Sequence, residues 1–342
     1  MKSLSESSIP VGRSAGAGPT EDACARGFEE ETRRLFVDVV QQSITASGRR
    51  PAPRPVFRKV HGIARGSMRI DPDLPGRFRH GIFAGAAYPA WIRFSSDTAP
   101  ETPDSARSTL GIGIKLFHVS GASLDEDDPV AGTADLLMQN HDRFFVATGR
   151  DFCAFSHAAV LGDFDAWLAE HPETREVLAE MEKLESSVLG ASYWSVLPYG
   201  CGPEAVVKYR LAPLDHATGE ATGDATDLLK RDLVRRLAEG PARFELALQP
   251  FTSEADTPLD AAMTRWPTPF QRVGELVIDR QDVAAPGQEP YGDNLSFHPW
   301  RAPPANRPLG SIAASRQVTY RSAAHLRRTV NGVPTTEPRR PR

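Results

Sequence analysis

Cysteine is scarce and long apolar runs are missing. Cys24, Cys153 and Cys201 are three in 342 residues, odd in number and widely spaced. That argues against a disulfide framework or a zinc cluster and suits a reducing compartment. No stretch approaches the ~20 apolar residues of a membrane span. The N-terminal MKSLSESSIPVGRSAGAGP has no apolar core of a secretory signal, so a cytoplasmic location is expected. Neither sign of charge dominates: 40 Lys and Arg against 44 Asp and Glu leave −4. This removes the electrostatic case for nucleic acid or an anionic membrane as partner. The nine histidines contain no H-E-x-x-H or similarly tight metal spacing. Two short glycine motifs lack their context. Gly12-Arg-Ser-Ala-Gly16 has hydrolase-elbow spacing but no preceding strand, and Leu110-Gly-Ile-Gly-Ile lacks the third glycine and following helix of a dinucleotide loop. No repeat of fixed period is present.

What remains is ordinary globular composition, 40% hydrophobic and 25% charged, with 29 prolines marking many boundaries. Residues 1–22 are Ser/Gly/Ala-rich without periodicity and read as a disordered tail; residues 331–342 read as a second one. Between them, 23–330 read as one domain. Phe28, Leu35, Phe36, Val39, Val40 and Ile44 recur at helical spacing, predicting an amphipathic helix ending near Gly48. Strands are expected over 56–70, 90–95, 110–117 and 134–138, then over 205–211, 244–251 and 273–278. In the third, Leu110, Ile112, Ile114 and Leu116 alternate with Gly111, Gly113, Lys115 and Phe117, the period of a strand. Residues 150–188 read as helical with Pro172 at a helix start, 259–265 as a short helix, and 314–328 as a final helix. Two groups of strands with few intervening helices predict an α+β fold: an antiparallel β-barrel of about eight strands with appended helices.

In the last helix Arg316, Tyr320 and Arg327 stand at i, i+4 and i+11, a stripe ~40° wide, with Ala323 and Ala324 leaving room beside it. A phenol flanked by guanidiniums suits a flat anionic cofactor with a metal centre. A phenol binds metal as phenolate, from a free pKa of ~10, and a neighbouring arginine favours that form. His61 stands alone in a strand. Arg93 and Ser95 share one strand face, and Ser95 is placed to hold the second nitrogen of a histidine. The segment from Asp135 runs through Gln139, Asn140 and His141 into Phe144 and Phe145. Taken singly, each of these residues has an ordinary structural explanation.

Taken in order, they resemble the haem catalase family, most closely its short, catalase-related peroxidase branch. Val60-His61-x-x-Ala64-Arg65-Gly66 looks like the distal-histidine strand. Trp91-Ile-Arg93-Phe94-Ser95 and Asp104-x-x-Arg107-x-x-x-Gly111-Ile-Gly113-Ile-Lys115 look like the next two strands. Residues 135–145 are similar to the stretch bearing the distal amide, Asn140 by the short branch's Asn-His pattern or Gln139 by ungapped counting from Phe144. Phe244-Glu-Leu-Ala-Leu-Gln249, Trp266-Pro267 and Val273-Gly-Glu-Leu276 resemble the second half of the barrel, and Arg316-x-x-x-Tyr320 the proximal motif. The likeness covers roughly residues 25–330. The resemblance does not extend to the C-terminal helical domain of large catalases, which is expected to be absent.

The resemblance implies haem b with Tyr320 as iron ligand. It implies Arg316 beside that oxygen, and Arg58, Arg93 and Arg327 on the propionates. His61, behind Val60, would be the distal acid–base group, Asn140 would orient the peroxide, and Ser95 would fix the imidazole. Phe94, Phe144 and Phe152 would be apolar walls. Arg58 and His61 are three apart, so both reach one haem only if the strand bulges or Arg58 lies at the rim. The implied activity is peroxidase or catalase action on hydrogen peroxide or an organic hydroperoxide through a ferryl haem, with an unidentified electron donor. The scaffold is compatible with a homo-oligomer. The alternatives are a hydroperoxide isomerase of the allene oxide synthase type, against which Val60 stands where those enzymes carry threonine, and a haem-binding protein without turnover.

Overall fold

The computed structural model describes residues 20–128, 132–215 and 225–342. Among these residues nine antiparallel strands form one sheet: β1 (Lys59–Ile70), β2 (Ala87–Ser96), β3 (Leu110–Phe117), β4 (Thr133–Gln139), β5 (Tyr193–Trp194), β6 (Tyr199–Cys201), β7 (Ala205–Pro213), β8 (Ala242–Pro250) and β9 (Gln271–Ile278). β1 pairs with both β2 and β9, and β5 pairs with both β4 and β7, so the sheet closes on itself. β5 and β6 share one edge of β7, giving an eight-stranded barrel. The α+β barrel expected from the strand periodicity is therefore the fold.

Period-2 alternation decides which side chains enter the barrel. Leu110, Ile112, Ile114 and Leu116 from β3 pack inside with Ile92 and Phe94 from β2 and Phe244, Leu246 and Leu248 from β8. Each fully buried aliphatic or aromatic side chain contributes about 1.5–3 kcal/mol. One end of the barrel is covered by helix α5 (Leu228–Glu239) through Leu229, Leu233 and Leu237. That helix was not expected, although its leucines recur at i, i+4 and i+8.

The other helices lie outside: α1 (Thr20–Arg33), continued by a π-wound stretch Arg34–Gln41 and by Gln42–Ala46, then α2 (Gly149–Leu161), α3 (Phe164–Glu170), α4 (Pro172–Met181), α6 (Gln288–Asn294) and α7 (Ser311–Asn331). The expected single helical region 150–188 is three helices, with Pro172 at the first position of the third. Residues 259–265 are turns, not a helix. There Ala262 donates to the Ala147 carbonyl and accepts from the Phe144 amide, so tertiary hydrogen bonds replace the helical ones.

Two further expectations change. Most of the tail expected over 1–22, with its Gly12–Gly16 motif, lies outside the described residues, and α1 begins at Thr20. The segment after Asn331 forms no element but is tied down: Glu337 is buried against Lys115 and Arg328 and accepts from Ser296. The cysteines are also corrected. Packing of α1 on α2 brings Cys24 and Cys153 to a Cα separation of 5.9 Å, and they are disulfide-bonded across 129 residues of sequence. Only Cys201 is free and buried. Spacing along the chain does not show which helices meet, and the pairing removes one argument for a reducing compartment.

A cross-link closing so long a loop restricts the unfolded chain. Reduction, or Cys153→Ser, should cost about 2–4 kcal/mol, read as a lower Tm in thermal unfolding with and without reductant. An unchanged Tm would show that the bond does not form.

Candidate active site

The outer face of β1–β4 is built from rows of directly paired residues. Val60, Ser95, Gly111 and Gln139 form one row; Ile63, Arg93, Gly113 and Leu137 form the next. The middle of this floor has no side chains. A Cβ on Gly111 would meet the Phe57 ring at 2.6 Å, and one on Gly113 would meet Phe297 at 3.1 Å. Two aromatic rings thus lie against a glycine cradle, with Phe57 held in the left-handed region at φ 52°.

Beside the floor, guanidiniums outnumber carboxylates. Arg93 from β2 donates to the Phe57 carbonyl at 3.0 Å and stands 3.6 Å from Asp293. Arg54, from the proline-rich linker before β1, is 3.3 Å from the same carboxylate. Arg327 from α7 donates to the carbonyls of Asp293 and Leu295. Burial, then repulsion from neighbouring arginines, lowers the proton affinity of Arg93, to about 9, and of Arg327, well below its ordinary value. The buried Nε atoms of Arg58 and Arg93 have no hydrogen-bond partner. A cavity of about 260 Å³ opens here, lined by Arg54, Arg58, Val60, Arg93 and Asp293 among others. It is smaller than the ~300–1,000 Å³ of sites that enclose a drug-sized ligand.

On α7, Arg316 donates to the Tyr320 oxygen at 3.1 Å and lies 5.0 Å from its ring centroid. Burial opposes the Arg316 charge, but Tyr320 and Tyr199 outweigh it and raise its proton affinity. The His298 ring, next to Phe297, is 6.2 Å from Tyr320.

His61 occupies a β-bulge. Val60 pairs with Ser95 and Gly62 with Phe94, leaving His61 as the extra residue. Of the two arrangements expected for Arg58 and His61, a bulge or Arg58 at the rim, the bulge is present. Its imidazole, however, does not face the floor. It is fully buried, and its Nε2 lies 3.2 Å from the Ser96 hydroxyl, on the strand face that enters the barrel. The hydroxyl holding the ring is therefore Ser96, not Ser95, because the bulge shifts the register by one. Ser95 lies 3.5 Å from the Gly111 carbonyl instead. The His61 Nδ1 has no hydrogen bond and stands 3.9 Å from Asp104, which Lys59 holds at 2.6 Å. Burial, with Lys59 and Arg93 nearby, pushes the ring down to about 3, so it is neutral at pH 7.

The remaining predicted residues divide similarly. Asn140 is buried and fully used: its Oδ1 accepts from the Leu110 amide and its Nδ2 donates to Glu185. The amide in the floor row is Gln139, which donates to the Arg143 carbonyl at 3.1 Å. Phe94 points into the barrel core. Phe144 and Phe152 meet each other at 5.6 Å, but in a cluster with Phe36 of the π-wound stretch after α1 and the start of α7. The structure thus gathers Arg93 and Arg327, pairs Arg316 with Tyr320, and puts Val60 and Ser95 in the floor row. It adds Arg54, whose only sequence signal is an arginine between two prolines.

No protein-family model matches the chain. It is 25% identical over 310 residues, 85% of its own length and 95% of the relative's, to a protein named catalase-related peroxidase from Mycolicibacterium paratuberculosis. Its fold is similar to a bacterial catalase (TM-score 0.68, 15% identity, 98% of this chain and 67% of that one). Similar too are a fungal catalase (0.64, 18%, 96% and 68%) and catalase A from Saccharomyces cerevisiae (0.65, 16%, 83% and 63%).

Because His61 is neutral when folded but titrates near ~6.5 when free, the unfolded chain takes up a proton that the native chain refuses. Its contribution to stability is complete above ~6.5 and is lost as pH falls toward 3, by up to ~1.4 kcal/mol per pH unit. Urea unfolding at pH 7 and pH 4.5 should show a shallower loss for His61→Gln than for the unaltered chain.

Proposed function

We propose that this chain, a member of the catalase family, is a haem-dependent oxidoreductase acting on hydrogen peroxide or an organic hydroperoxide. One observation carries the reading: the buried Arg93 and Arg327 and the half-buried Arg54 converge on Asp293, Arg54 and Arg93 on its carboxylate and Arg327 on its backbone carbonyl. The excess of two positive charges in a desolvated place calls for a dianionic ligand. Haem b carries two propionates. The rings of Phe57 and Phe297 fill the glycine cradle of Gly111 and Gly113, so a flat group would stack on those rings or displace them, and on α7 Tyr320 offers an oxygen paired with Arg316.

In this reading Arg54, Arg93 and Arg327 hold the propionates, with Arg58 at the rim, and Tyr320 ligates the iron. When bound, haem supplies a redox-active iron that cleaves the O–O bond of a peroxide. Arg316 donates to the phenol oxygen at 3.1 Å and holds it in place. His61 is neutral and has a free Nδ1, the state required of a group that accepts a proton from one peroxide oxygen and returns it to the other. The bulge keeps His61 out of the pairing ladder, so strand alternation does not fix its side chain; acting on peroxide requires it to leave Ser96. We assign the orienting amide to Gln139, because it shares the floor row with Val60 and Ser95 while the Asn140 amide is held by Leu110 and Glu185. The electron donor is an organic reductant or a second peroxide.

The inward imidazole specifically favours a second reading, a haem-binding protein without turnover. His61→Ala separates the two. On the first reading it keeps the Soret absorbance and loses peroxide cleavage by ~10²–10⁴-fold; on the second there is no cleavage to lose. Tyr320→Phe should keep the fold, measured by far-UV circular dichroism, and lose the tyrosinate-type ferric spectrum. A spectrum unaffected by that substitution would end the assignment of Tyr320 to iron.

A further inference from the structure

The outer face of β7 and β8 carries a second cavity, of about 120 Å³, lined by Trp194, Trp266, Phe270, Lys208, Arg265 and Asp142 among others. One water needs ~10–15 Å³ of such space, so this void holds several waters or one ring-sized ligand. Lys208 stands on the strand face opposite the core residues Val207 and Tyr209, directly across from Gln249. It is 4% exposed, yet it makes no hydrogen bond and no ion pair among the described residues. Its ammonium lies 4.6 Å from the Trp266 ring centroid. The acidic side chain in the lining is committed elsewhere: Asp142 accepts from Arg265 at 2.7 Å. The Gln249 amide donates to the carbonyls of Trp266 and Thr268, fixing the segment that carries the indole. Burial takes Lys208 down to about 8.

A lysine this buried is ordinarily paired, since an ammonium removed from water loses solvation that a ring face restores only in part. Here the charge faces a small aromatic-walled void, and the other lining cation, Arg265, is paired with Asp142 and Glu180. We infer that this cavity is a binding site for a small aromatic carboxylate, its ring against the indoles and its carboxylate on Lys208. The site is independent of the haem reading: no residue of the glycine floor or the arginine cluster lines it.

Benzoate is the probe, titrated into the full chain by calorimetry. One saturable site is expected, with benzamide at least ~10-fold weaker because it lacks the charge, and with the Soret band of haem-loaded protein unmoved. Lys208→Met should weaken benzoate binding at least ~10-fold. Because substituting a buried residue risks misfolding, a second measurement uses the unaltered chain. Reductive methylation of Lys208, followed by mass spectrometry, should slow several-fold in benzoate and not in benzamide. Absence of saturable binding, benzoate binding that survives Lys208→Met in a folded variant, or binding that leaves Lys208 unprotected each overturns the inference.

Discussion

Three guanidiniums converge on Asp293, two on its carboxylate and one on its backbone carbonyl, and the seating of the last helix depends on them. Arg54 comes from the linker, Arg93 from the barrel wall and Arg327 from the last helix, so Asp293 ties together segments far apart in sequence. The Asp293 carboxylate is 26% exposed, so its pairs are partly screened, and Arg327 is held by two backbone carbonyls. The arrangement therefore both fastens α7 to the barrel and leaves charge uncompensated. A structural joint would need only the first property; the second gives the joint a chemical purpose.

The barrel separates two environments that a one-residue bulge connects. On the outer face lie glycines, arginines and the row containing Gln139. Toward the interior lie His61, Ser96 and Asp104, enclosed by α5, whose Leu229 amide donates to Asp104. Val60 and Gly62 keep to their own faces, and His61 between them belongs to neither ladder position. In the structure it takes the buried side, where neutrality is the low-cost state.

Strand periodicity made the barrel legible. Leu110, Ile112, Ile114 and Leu116 announce β3 without ambiguity, and its boundaries agree with the structure. β5 and β6 were invisible because two or three residues carry no period, yet β5 closes the barrel. The candidate site was legible where helical spacing governs, as for Arg316 and Tyr320. It was less so where facing depends on register: a single inserted residue exchanged Ser95 for Ser96, and ordinary alternation sent Phe94 inward. Arg54 was missed because a linker has no periodicity, and the Cys24–Cys153 bond because helix packing, not spacing, creates it.

The buried carboxylate near the end of the chain has its own consequence. Glu337 is the only carboxylate paired with Arg328 among the described residues, and it also reaches Lys115 at 3.1 Å beneath the site. Lys115 keeps Asp135 as a partner; Arg328 has no substitute. A protease that clips before this glutamate would strand a cation in the interior, whereas one that clips after it would remove only surface residues. The last stretch, which looks expendable by composition, thus contains a boundary for trimming, and an affinity handle belongs beyond it.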